Sequence, residues 1–215
     1  MEALRDIQQR IHAAATRAKR DPQSITLIAV TKTVPVDRIR SAAECGIRNL
    51  GENRLQEAVP KIDELRDLDL TWHFIGRIQT NKAKKIAEYF DWIHSIDRMD
   101  VADKLGVAAV KPISVLIEVK LHEESNKSGA AISDVPNVIE AIRRYEKLDL
   151  KGLMAVPPFL ENPEEVRPYF RKLRELASQY ELPELSMGMT HDFEVAIEEG
   201  ATMVRIGTGL FGKRL

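Results

Sequence analysis

The sequence predicts an α/β protein, a single (β/α)8 TIM barrel with an extra N-terminal helix, and three observations lead there. Short runs that are apolar at nearly every position alternate with amphipathic stretches along the chain, as strands covered on both faces by crossover helices require. The apolar runs number eight, the count that closes such a barrel. No glycine-rich dinucleotide fingerprint supports the competing open, doubly wound sheet.

In chain order, an amphipathic helix over about residues 3–20 is expected to cap or flank the barrel. The first strand is expected at 25–30, Ile25-Thr26-Leu27-Ile28-Ala29-Val30, followed by strands at 49–52, 71–75 and 92–95. The second half continues with 113–119, 150–156, 185–189 and 202–206. Helical periodicity fills the gaps. Val166, Phe170, Leu173, Leu176 and Ala177 share one face, and Asn162-Pro163-Glu164-Glu165 reads as a cap followed by proline in the first turn. No composition break or Gly/Ser/Pro-rich linker divides residues 1–215, so one domain is expected.

The 215 residues suffice for one sizeable core. Their 32 basic and 33 acidic side chains give a net charge of −1, which offers no electrostatic case for nucleic acid or a membrane surface. The lone Cys45 rules out an internal disulfide, fits a reducing compartment and reads as a small packed residue on a helix. No apolar run approaches the ~20 residues that span a bilayer, and the N-terminus lacks an apolar signal core. These features predict a soluble, cytoplasmic protein; balanced charge and no obvious exposed apolar stripe predict a monomer.

A barrel collects chemistry at the C-terminal ends of its strands. Those ends carry Lys32, Glu52-Asn53, His73 with Gly76-Arg77, Ser95, Lys120, Met154, Ser186 to Thr190, and Arg205-Ile206-Gly207-Thr208-Gly209. A lysine at the end of a buried strand is partly desolvated, which favours the neutral amine that Schiff-base chemistry uses. The loops after strands seven and eight are the recurrent phosphate site of this fold. There Gly207 and Gly209 allow close backbone approach, and Ser186, Thr190 and Thr208 offer hydroxyls. Either loop alone reads as a turn containing glycine. Both together with Lys32 favour a phosphate-bearing carbonyl ligand.

Several longer motifs accompany these residues: Ala29-Val30-Thr31-Lys32, Leu50-Gly51-Glu52-Asn53 with Gln56-Glu57, and Trp72-His73-Phe74-Ile75-Gly76-Arg77-Ile78-Gln79-Thr80-Asn81-Lys82. Lys127-Ser128-Gly129, Gly152-Leu153-Met154, Leu185-Ser186-Met187-Gly188-Met189 and Met203-Val204-Arg205-Ile206-Gly207-Thr208 complete the set. In this order and over nearly the whole chain, they resemble the pyridoxal phosphate homeostasis proteins (the YggS/PROSC family), single-domain relatives of the N-terminal barrel of alanine racemase. Thr190 stands where a serine is usual, and Gly209-Leu210 replaces a more common Ala-Ile pair.

The resemblance implies that Lys32 holds pyridoxal 5′-phosphate (PLP) as an internal aldimine and that Arg205 faces the pyridine nitrogen. An arginine does not hand its proton to the ring, so the cofactor is a weaker electron sink. Asn53 and His73 are expected to flank the ring, while Ser186, Thr190, Gly207 and Thr208 are expected to hold the phosphate. Without the resemblance, Lys32 reads as a surface-directed lysine, His73 as a satisfied, partly buried imidazole, and Arg205 as an interior arginine paired with a carboxylate. Trp92 and His94 read as barrel filling.

Racemisation needs a second acid/base group opposite the lysine, which the racemases take from a tyrosine of a second domain. The chain ends seven residues after Thr208, and Tyr89, Tyr145, Tyr169 and Tyr180 are expected inside helices away from the mouth. The expected function is therefore intracellular PLP homeostasis and supply without robust catalysis, with PLP-dependent apo-enzymes as candidate recipients. Two alternatives stay open: a PLP enzyme with weak racemase-type activity on amino acids, and a Schiff-base aldolase. No metal site is expected.

Overall fold

The computed structural model describes residues 2–122 and 128–212. Its strands are β1 Thr26–Val30, β2 Asn49–Glu52, β3 Thr71–Phe74, β4 Trp92–Ile96, β5 Ile113–Glu118, β6 Leu148–Met154, β7 Glu184–Met189 and β8 Met203–Ile206. All pair in parallel and in sequence order, and β8 returns to β1 with Thr26 opposite Met203 and Ile28 opposite Arg205, which closes the barrel. Helix α1 (Glu2–Arg17) precedes β1. Helices α2 (Val36–Glu44), α3 (Leu55–Glu64), α4 (Ala83–Tyr89), α5 (Met99–Ala108), α6 (Val135–Arg143), α7 (Arg167–Gln179), α8 (Phe193–Glu198) and α9 (Thr208–Phe211) follow the successive strands.

Strand residues alternate between two cores. The larger lies between sheet and helices and includes the fully buried Phe90, Phe170 and Phe193. Full burial of one such side chain contributes about 1.5–3 kcal/mol. The smaller fills the barrel with Ile28, Leu116, Met154 and Met203, against which Trp92 packs. Helix α1 buries Leu4, Ile7, Ile11, Ala14 and Ala15 and packs on α8 and α9. It ends at Arg17, three residues short of the sequence expectation, because Lys19 turns left-handed at φ +56 and the Arg20 N–H closes back on Ala15 O at 2.9 Å.

Other boundaries shift for local reasons. Leu148 pairs with Ile113, so β6 begins two residues before the predicted 150, and it ends at Met154 instead of 156. Asn162 does cap, accepting Glu164 N–H at 3.1 Å, but it opens a 3-10 turn, Pro163–Val166, ahead of α7. Cys45 is exposed at the end of α2, which corrects the expectation of a packed thiol. Tyr145 lies in the turn beyond α6 and donates to Asp103. Among the described residues no helix is long and apolar enough to cross a membrane, and no cluster of His, Cys, Asp or Glu could hold a metal ion. Lys127 of the Lys127-Ser128-Gly129 motif lies outside the described residues.

Candidate functional site

At the end of β1 the ladder continues for one residue, with Thr31 N–H donating to Gly51 O at 3.0 Å. The chain then turns: Val34 N–H donates back to Thr31 O at 2.9 Å, and Thr33 sits at φ +63. A β-branched residue in that region is sterically disfavoured. Lys32, half-buried, occupies this turn. It lines a cleft of about 440 Å³ together with Val30, Thr33, Gly207, Thr208 and Phe211. The amine and the loop after β8 therefore meet in one cavity, as expected from their strand-end positions, and the volume lies within the usual range for small-molecule sites.

The β7 and β8 loops meet beside this cleft. Thr208 Oγ1 donates to Thr190 Oγ1 at 3.3 Å, and Gly209 N–H reaches the same oxygen at 3.4 Å. Thr190 can lie there because Gly188 takes φ +89. A Cβ at Gly188 would come within 2.5 Å of the Ala196 Cβ and 2.9 Å of the Phe193 Cα, so only glycine lets this loop press against α8. Asp192 fixes the loop by accepting Met189 N–H at 2.7 Å, and burial raises its carboxyl above the usual range.

Arg205 is almost fully enclosed. Its Nη1 donates to Ser186 O at 2.7 Å and Ser186 Oγ at 2.6 Å, and its Nη2 donates to Ala155 O at 3.0 Å. Burial lowers its pKa to about 10, opposed by the Glu118 and Asp192 carboxylates, so it stays charged at neutral pH. The predicted carboxylate partner is thus a pair of carbonyls and a hydroxyl, with the carboxylates acting at longer range.

A hydrogen-bonded chain continues inward. Ser186 Oγ lies 2.9 Å from His94 Nδ1, His94 Nε2 lies 2.9 Å from His73 Nδ1, and His73 Nε2 lies 3.0 Å from Asn49 Oδ1. Burial holds His73 near pKa 3 and His94 well below its ordinary value, so both rings are neutral. Asn49 Oδ1 only accepts, which assigns the proton of each imidazole to Nε2. Each donor then points away from Arg205: the Ser186 hydroxyl to His94, His94 to His73, and His73 to Asn49.

This chain bears on two expectations. His73 is buried, stacked 5.7 Å from Trp92, with both nitrogens engaged inside the barrel. Ser186 is fully buried and its hydroxyl is committed to Arg205 and His94, so it does not join the threonines of the β7 and β8 loops. Asn53 is held where β2 and β3 end, since a Cβ on Gly76 would fall 2.1 Å from Asn53 O. Its side-chain oxygen is buried without a hydrogen-bond partner in the described structure.

A second cleft of about 350 Å³ is lined by Ile75, Arg77, Glu118, Lys120 and Ser128. Glu118 accepts from Ser128 Oγ at 2.7 Å, and burial pushes its carboxyl up. Glu118 escaped the sequence reading because it lies inside an apolar run, as an inward-facing acid among hydrophobic neighbours. The tyrosine expectation also needs amending: Tyr169 presents its ring edge-on to His122, a residue of this second cleft, at 6.2 Å.

The family described as alanine racemase, N-terminal domain, matches residues 3–214. The pyridoxal phosphate homeostasis protein of Aquifex aeolicus is 48% identical, over 99% of this chain and 97% of its own. The chain belongs to the pyridoxal phosphate homeostasis protein family. The member from Pseudomonas aeruginosa is 46% identical over 99% of this chain and 95% of its own. PipY of Synechococcus elongatus, solved with PLP bound, superposes with a TM-score of 0.84 at 38% identity, covering 96% of this chain and all of that one. Membership in the family agrees with the resemblance drawn from the motifs.

The arrangement fits a ligand of that kind. The Lys32 amine and the Thr208 hydroxyl share one cleft, the Thr190 hydroxyl bonds to Thr208 beside it, and the charged Arg205 is enclosed on the strand that leads into that loop.

Proposed function

We propose that this chain binds PLP reversibly and serves intracellular PLP homeostasis without robust catalysis of its own. The observation that carries this reading is the shared cleft of Lys32 and Thr208, with Thr190 beside it. PLP supplies an aldehyde that a primary amine captures reversibly. Lys32 is the residue to capture it. Thr190, Thr208, Gly207 and the Gly209 N–H would hold the phosphate, and the Asn53 amide would contact the ring's polar edge. Arg205 keeps its proton on the guanidinium, so a pyridine nitrogen beside it stays unprotonated and amino-acid carbanions gain little stabilisation.

A cytoplasmic monomer that passes PLP to apo-enzymes completes the reading. The test is spectroscopic. Protein incubated with PLP should become yellow, lose that band on borohydride reduction, and show neither property as Lys32→Ala. A colourless wild-type protein would sink the proposal and favour a direct Schiff-base aldolase. Supply is tested by transfer from loaded protein to an apo-enzyme, against free PLP at equal concentration.

The buried Glu118, whose carboxyl burial pushes up, favours one second reading, a weak amino-acid enzyme, because it places an acid/base group in the second cleft. Turnover of amino acids that survives in wild type and vanishes in both Lys32→Ala and Glu118→Gln would establish it.

A further inference from the structure

Behind the end of β1, on the helix-facing side of the sheet, lies an ion pair that the cleft chemistry does not use. Lys61 of α3 donates to Glu52 Oε1 at 2.7 Å and also to the main-chain oxygen of Thr31 at 2.7 Å. Thr31 Oγ1 donates to the same Glu52 oxygen at 2.7 Å. Glu52 is 0% exposed and Lys61 9%, while Glu52 Oε2 has no partner in the described structure. Two enclosed charges with one oxygen unsatisfied make a poor device for stability alone, because an apolar pair of similar volume would avoid the desolvation.

What sets the pair apart is its main-chain target. Thr31 O belongs to the peptide group that joins Thr31 to Lys32, so the Lys61 ammonium fixes the plane from which Lys32 departs. The same oxygen accepts Val34 N–H at 2.9 Å, closing the turn that contains Thr33 at φ +63. A threonine resists that conformation, and such a turn persists only where its surroundings over-determine it. Glu52 keeps Lys61 aimed; Lys61 keeps Thr31 O in place; the turn then directs Lys32 into the cleft.

We infer that Lys61 and Glu52 are positioning residues for Lys32, acting through the Thr31 carbonyl and the strained turn at Thr33. Their effect on PLP affinity rests on the function proposed above; their effect on the turn does not.

The test removes both charges together, as Glu52→Gln with Lys61→Met, and reads three quantities. Hydrogen exchange at the Val34 amide should speed up about tenfold, as the loss of one charged hydrogen bond predicts, while the amides of Ile93 and Val115 stay protected. PLP should bind about tenfold more weakly, and adding Thr33→Gly should recover part of that loss, since glycine takes positive φ without strain. A second pair, Glu52→Gln with Lys61→Gln, is read in the same way if the first does not fold. Unchanged Val34 exchange, or weakened binding that Thr33→Gly does not touch, would overturn the inference. If wild-type protein takes up no PLP, the proposed function fails, and Val34 exchange with the rate of reductive methylation at Lys32 still decides the positioning role.

Discussion

His94→Leu breaks the polar chain beneath Arg205 at its middle. In the folded protein His94 accepts from the Ser186 hydroxyl and donates to His73 Nδ1, both at 2.9 Å and both fully buried. Leucine fills similar space but leaves a donor without an acceptor and an acceptor without a donor. At about 1–3 kcal/mol for each unsatisfied buried group, less some regained apolar contact with Trp92, the net loss is about 2–4 kcal/mol. For a domain near 200 residues that lowers Tm by about 4–16 °C. The sharper measurement is a double-mutant cycle with Ser186→Ala, followed by urea unfolding. Because Ser186 and His94 share one bond, the double variant should lose less than the sum of the singles by about 0.5–3 kcal/mol. Strict additivity within about 0.5 kcal/mol would refute the chain as a coupled unit.

The same rings make stability depend on pH. Their folded pKa values lie below the unfolded value of about 6.5, near 3 for His73 and well below ordinary for His94. Protons therefore bind the unfolded chain first as pH falls. Stability from these rings is complete above about pH 6.5 and is lost as pH falls below it, down to about pH 3 for His73, at about 1.4 kcal/mol per pH unit per ring. Unfolding free energies should be nearly flat from pH 7.5 to about 6.5 and show this slope from there down to pH 5, roughly halved in His94→Leu; an identical slope in the variant would contradict it. Gly188→Ala forces a Cβ to within 2.5 Å of Ala196 at φ +89, and should cost about 2–5 kcal/mol in strain and overpacking; a denaturant midpoint showing less than about 1 kcal/mol would count against the tight-loop argument. Thr190→Val should weaken PLP about tenfold through one lost phosphate hydrogen bond while leaving phosphate-free pyridoxal unaffected. Equal weakening of both ligands would remove Thr190 from the phosphate contacts.

The barrel was legible because its strands are apolar on nearly every position, and the mouth was legible because strand ends converge whatever the intervening sequence. That rule alone anticipates that Lys32, Gly207 and Thr208 share one cleft, with Thr190 beside it. The rule is blind to depth. His73 and Ser186 sit on strands whose ends do reach the mouth, yet their side chains point into the barrel a layer below it, and tilt decides the layer. Lys61 stood on an amphipathic helix, where a lysine reads as solvated; only the barrel shows that it reaches back to Thr31 O. Glu118 was hidden by its neighbours. Boundaries moved where a single bond intervened, as at Lys19, whose left-handed turn ended α1 early.

The seam between β1 and β8 gives the binding cleft a history as well as a shape. Lys32 follows the first strand and Thr208 the eighth, and α1 crosses over to α8 and α9 beside them. These contacts join segments far apart along the chain, the kind that form late and slowly in folding. A ribosome-bound chain that has made β1 to β7 carries its amine without the opposing loop, Thr208 or the Arg205 charge. Under the function proposed above, the complete cleft, with Lys32 and Thr208 facing one cavity, arrives together with ring closure.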